Sequence, residues 1–69
     1  MRNMGKIINY NGCSGLIIDN NGDEYILLKN NILYSNVKNG DMVTFKIENF
    51  KTVEIEKKIA TFVQIIEVN

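Results

Sequence analysis

The stretch Gly5-Lys6-Ile7-Ile8-Asn9-Tyr10-Asn11-Gly12-Cys13-Ser14-Gly15-Leu16-Ile17-Ile18-Asp19 (GKIINYNGCSGLIID) holds two aliphatic runs around a glycine-containing turn. β-Branched and aromatic residues suit a pleated, half-buried surface, so each run reads as a short strand. Asn11-Gly12 supplies residues that tolerate the positive φ of a tight turn. Three glycines in fifteen residues are more than one turn needs. Two readings of Gly15 follow. It serves strand curvature, since a small barrel must bend its strands sharply, or a ligand approaches its backbone closely.

The same punctuation recurs outward along the chain. Proline is absent, and Asn21-Gly22 and Asn39-Gly40 repeat the turn pair. Strands are expected at Gly5–Tyr10, Gly15–Asp19, Glu24–Lys29, Asp41–Asn49 and Ile59–Val68. In the fourth, Val43, Phe45 and Ile47 alternate with Met42, Thr44, Lys46 and Glu48, the period-2 pattern of a strand with two unlike faces. The last run does not alternate cleanly, which predicts a bulge or burial on both faces. Asn30–Lys38 is a polar connection anchored by Ile32-Leu33, with room for one short helical turn. Phe50–Lys57 is charge-rich and lacks glycine, and it is expected as a longer mobile loop. Glu54–Lys58 would suit a helical turn too short to stand alone.

A chain of 69 residues makes one small domain, spanning 1–69. Five short strands in that length point to an all-β fold, a small five-stranded closed antiparallel barrel. Closure removes sheet edges that so small a protein tolerates poorly.

The totals narrow the chemistry. Eight Lys and Arg balance eight Asp and Glu, so the net charge is zero, which argues against strong nonspecific binding to phosphate backbones. Histidine is absent, which removes the commonest general base and metal ligand. Cys13 is the only cysteine, so no intrachain disulfide forms. No nucleophile–base set or phosphate loop is present, and no enzyme, metal or cofactor is expected. Asp19–Glu24 places oxygen groups at alternating positions, but its glycine is out of step for a calcium loop, and it reads as a polar hairpin turn. No run approaches the ~20 apolar residues of a membrane span, and Met1–Met4 carry no signal-peptide pattern. The expected location is the cytoplasm.

The order of the motifs resembles that of cold-shock domains. Gly5–Asn11 is similar to their G-K-V-K-W-F-N opening, and Gly15-Leu16-Ile17 to the end of K-G-F-G-F-I. Asn21–Leu28 lies where D-G-x-D-V-F-V-H would be. Val37–Phe45 looks like L-K-E-G-D-x-V-x-F, and Lys58–Val63 resembles the closing G-P-x-A-x-N-V. The resemblance covers Gly5 to Val63 and implies an OB-fold barrel, with a small SH3-like barrel as the structural competitor.

The resemblance implies binding of single-stranded RNA or DNA, with RNA expected, through aromatic side chains that stack on bases. Carried over position by position, Asn9 stands where the family has Trp, and Tyr10 where it has Phe. The second-strand aromatics fall on Ser14 (or Cys13 under a shifted gap) and Leu16. The third-strand Phe and His fall on Ile26 and Leu28. Most of the stacking platform is therefore missing. The expected site uses Tyr10 for stacking, Lys6 and Lys29 for phosphates, and Leu16, Ile26 and Leu28 for apolar contact, with Asn9 and Ser14 beside them. Tyr34 and Phe50, expected on loops, would extend the platform. The other reading is that the aliphatic face binds a protein partner or a second copy of the chain.

Overall fold

The computed structural model describes residues 2–34 and 36–66. Five strands form: β1 (Asn3–Ile8), β2 (Ser14–Ile18), β3 (Glu24–Leu28), β4 (Met42–Lys51) and β5 (Glu56–Ile65). They close in the order β1-β2-β3-β5-β4. The all-β closed barrel of the sequence reading is what the chain adopts, and it is compatible with an OB-like fold. One detail differs. The barrel is not wholly antiparallel, because β3 and β5 pair in parallel at Ile26↔Ile59. Parallel neighbours need a crossover rather than a tight turn. Here the crossover consists of the 3₁₀ turn Lys29–Asn31, the following connection and all of β4. An isolated parallel bridge, Ile32↔Val63, extends the seam.

The core follows from alternation. Ile7, Ile17, Tyr25, Leu27, Val43, Phe45, Ala60 and Val63 are buried together, and no buried residue is polar or charged among the described ones. The rings of Tyr25 and Phe45 lie 5.0 Å apart at a tilted angle, a favourable aromatic geometry. The expected bulge exists in β5. Thr44 pairs with Gln64 but Lys46 with Thr61, so β5 carries one extra residue. Phe62 absorbs it in a left-handed conformation, φ 49°. Arg2 reaches over the gap. Its Nε donates to Thr44 Oγ1 (3.0 Å), and its Nη2 donates to the carbonyls of Thr44 (2.9 Å) and Phe62. The guanidinium thereby occupies carbonyls that the bulge takes out of the ladder.

Other boundaries differ from the sequence reading. The first strand ends at Ile8, because Asn9 turns the chain with φ 52°. The region 50–57 is not a long loop, and 54–58 is not a helical turn. β4 runs on to Lys51 and β5 begins at Glu56, so a tight hairpin leaves only Thr52–Ile55 as its tip. Thr52 stands in for the missing glycine. Its Oγ1 accepts from the N–H groups of Glu54 (3.3 Å) and Ile55 (3.0 Å), while its own N–H donates to the Ile55 carbonyl (2.7 Å). Phe50 is accordingly on a strand. The last strand also ends earlier than expected, at Ile65, and positions 67 and 68 lie outside the described residues.

Candidate functional site

The pairing registers settle which side chains share the outer face of β1–β3. Ile8 lies opposite Leu16 and Leu16 opposite Ile26. Ser14 lies opposite Leu28, and Lys6 opposite Ile18. The inward neighbours Ile7, Ile17, Tyr25 and Leu27 are buried, so these residues point outward. Leu16 and Ile26 are half-buried, and Leu28 is 38% exposed. The row of Leu16 and Ile26 continues across the parallel seam to Ile59. Leu28 lies one row further along β3 beside Ser14, so the outward aliphatic residues form one patch spanning two adjacent rows.

Asn9 and Tyr10 lie beyond the end of β1. Tyr10 is half-buried and packs against the core, which makes it a cap on the barrel end as well as a surface residue. Its backbone is held by the Asn39 side chain. The Tyr10 N–H donates to Asn39 Oδ1 (2.7 Å), and Asn39 Nδ2 donates to the Tyr10 carbonyl (3.1 Å). A side-chain amide thereby substitutes for a neighbouring strand. Gly15 makes this placement possible. A Cβ at position 15 would lie 2.6 Å from Tyr10 Cα and 2.9 Å from its Cβ. What approaches Gly15 is therefore the chain's own backbone, as the curvature reading expects.

Two depressions open at this end of the barrel. The first, about 360 Å³, is lined by Tyr10, Gly12, Lys29, Ile32, Asn36 and Val37. Its size falls in the range of small-ligand sites. The second, about 300 Å³, is lined by Cys13, Leu28, Lys29 and Asn30. Lys29 borders both. Its backbone N–H donates to the Cys13 carbonyl (3.0 Å), which ties the β1–β2 turn to the end of β3. Asn11 Oδ1 rigidifies the same turn by accepting from the N–H groups of Cys13 and Ser14.

The structure therefore brings Tyr10, Ser14, Leu28 and Lys29 to one end, with Leu16 and Ile26 continuing along the outer face. Lys6 does not join them. It lies one row beyond Leu16 and Ile26, between Ile18 on β2 and Met42 on β4. Tyr34 is 91% exposed on its connection, and Phe50 is on β4 far along the hairpin. Sequence reasoning missed Asn39 as the residue that positions Tyr10. Its signal was present, but Asn39-Gly40 also satisfies a turn, and a turn explains the pair without a tertiary role. Ile32, Asn36 and Val37 were missed as pocket walls because their connection has no periodicity to read.

The local charges are structural. The Lys38 backbone N–H, bonded to Asp41 Oδ2 (2.9 Å), holds the Asp41 carboxyl below its ordinary value against some desolvation, with help from the Lys38 ammonium 3.3 Å away. Among the described residues, no cluster of acidic, cysteine or histidine side chains could hold a metal ion. No helix of the described residues is long and apolar enough to cross a membrane. No protein-family model matches the chain, and no curated protein matches its sequence.

Proposed function

We propose that this barrel binds single-stranded nucleic acid, with RNA as the first candidate, through the barrel end around Tyr10 and the adjoining outer face of β2–β3. The observation that carries the reading is the convergence of Tyr10 and Lys29 on one pocket beside an apolar row. An aromatic body, an ammonium and flat aliphatic contact are the three things a base, its phosphate and its sugar ask for. The motif order, which resembles that of cold-shock domains, supports the same reading, as does the OB-like closure. Affinity is weak in this proposal. Each base–aromatic stack contributes about 1–3 kcal/mol, and aliphatic or polar residues replace most of the family's aromatic positions.

The test is fluorescence anisotropy with labelled single-stranded RNA and DNA pools at two salt concentrations. Saturable, salt-weakened binding that Tyr10→Ala and Lys29→Glu both reduce is the expected result. No binding at tens of micromolar protein, a level at which weak nonspecific association is detectable, would discard the proposal.

A second reading rests on the row Ile8–Leu16–Ile26–Ile59 together with Leu28 one row further along β3, a continuous aliphatic surface across four strands. Such a surface suits a protein partner better than a nucleic acid. Leu28→Lys would abolish that interaction, and because Leu28 is outward it would leave the fold intact.

A further inference from the structure

The hairpin of β4 and β5 continues past the barrel, and its β4 edge is open. β1 accompanies β4 only as far as Asn3↔Phe45. Among the described residues nothing pairs with Ile47–Lys51 on that side, while β5 pairs with the other side through Lys51↔Glu56. Five residues at about 3.3 Å each carry this arm roughly 17 Å, which fits an elongated molecule of 44 × 24 × 18 Å. The arm also gathers exposed apolar side chains: Ile47, Phe50, Val53 and Ile55. A free edge with its N–H and C=O groups unpaired, bearing large apolar side chains, is a template for another strand.

We infer that the open β4 edge is a self-association surface, and that two copies of this chain pair through Ile47–Lys51 in antiparallel fashion about a two-fold axis. The geometry selects the register. A two-fold axis normal to the sheet keeps every residue on its own face, so opposed positions must have the same parity. Only one such register uses all five residues that no described residue pairs with on that side. It places Asn49 opposite Asn49 of the second copy, Glu48 opposite Phe50, and Ile47 opposite Lys51. No two like charges are opposed in it. The rows formed with β5 are Ile59–Glu48–Phe50–Lys57, Ala60–Ile47–Lys51–Glu56 and, on the axis, Lys58–Asn49–Asn49–Lys58; none sets like charges side by side, and Glu48 of one copy shares a row with Lys57 of the other. A zero net charge adds no long-range repulsion between copies. This surface is separate from the Tyr10 end, so it can act whether or not the barrel binds nucleic acid.

Sedimentation equilibrium of the full chain from about 10 µM to about 1 mM tests the inference. The expected result is a reversible rise from the 7.9 kDa monomer toward twice that mass. Asn49 is exposed, so Asn49→Lys and Asn49→Glu should each fold, as checked by circular dichroism. Each alone opposes like charges on the axis and should weaken dimerisation by about two- to fivefold. Mixing the two variants should restore a dimer, which a merely structural effect of either would not do. A monomer at every concentration overturns the proposal. So does dimerisation lost in Leu28→Lys but retained in both Asn49 variants, since association would then run through the β1–β3 face.

Discussion

A hydrogen in place of a methyl group at position 15 decides how the chain leaves β1. Gly15→Ala would drive its Cβ into backbone atoms of Tyr10, which cannot swing away as a side-chain tip can. The expected cost is about 1–3 kcal/mol, the range for overpacking, read from urea denaturation, and the Asn39 clamp on Tyr10 should loosen with it. Asp19 and Tyr25 form the other decisive pair. Asp19 Oδ1 accepts from the N–H groups of Asn21 and Asp23, and Oδ2 accepts from the buried Tyr25 hydroxyl (2.9 Å). The β2–β3 turn is thereby locked to the core. Tyr25→Phe keeps the ring against Phe45 but removes that bond to a solvent-facing carboxylate, a loss of stability measurable in the same denaturation experiment.

The same residues set the pH dependence of stability. Desolvation raises the Asp19 carboxyl, but the bonds from Tyr25, Asp23 and Asn21 and the charge of Lys58 outweigh it, so it titrates below 3.8. Asp41 is lowered as well. A carboxyl depressed in the folded state contributes stability that is complete above its unfolded value and lost as pH falls through its folded one. The urea midpoint should therefore drop below about pH 4, and combining Asp19→Asn with Asp41→Asn should flatten that acid limb. Tyr25 lies on the opposite side. Burial, then the bond and charge of Asp19 and the charge of Asp23, raise it above 10.0. Its contribution is present below that value and lost as pH rises through the folded one, so Tyr25→Phe should remove an alkaline limb.

At the scale of elements, the two halves of the β4–β5 hairpin live in different environments. Val43 and Phe45 are buried in the barrel, whereas every residue from Lys46 to Lys51 is exposed. The arm is held by its ladder and by the Thr52 tip rather than by a core. Two-stranded ribbons are marginal alone. Thr52→Ala removes the acceptor for two tip N–H groups. Hydrogen exchange should then quicken at those arm amides that donate within the β4–β5 ladder, while Ile7, Ile17 and Leu27 keep their protection. Equal acceleration throughout would mean that arm and barrel open as one unit.

For the molecule as a whole, zero net charge limits what electrostatics adds to ligand binding. If Lys6 and Lys29 are the two phosphate contacts, single-strand binding should follow log salt with a slope of about −1.4. A much steeper slope would bring in the lysines of the arm. Lys6 sits two rows away from the Ser14–Leu28 end that borders the Tyr10 pocket, so Lys6→Ala should reduce the slope by about 0.7 while leaving base contacts at the barrel end unchanged.

Much of this was legible from local chemistry. Asn-Gly turns and period-2 alternation located five strands and the faces of Val43 and Phe45, because turn φ and strand parity depend on neighbours in sequence. The broken alternation of Ile59–Val68 left a bulge or burial on both faces as the two options, and the pairing with β4 shows the bulge. The 50–57 region misled because a hairpin tip built on a threonine hydroxyl lacks the glycine that marks the other turns. Tertiary structure alone decided the rest. The parallel β3–β5 seam, the Asn39 hold on Tyr10, the separation of Lys6 from Lys29 and the open β4 edge all join residues distant along the chain. Local preference says which side of a strand a residue occupies. Which strand lies beside it depends on how the barrel closes, and closure is a property of the whole sheet.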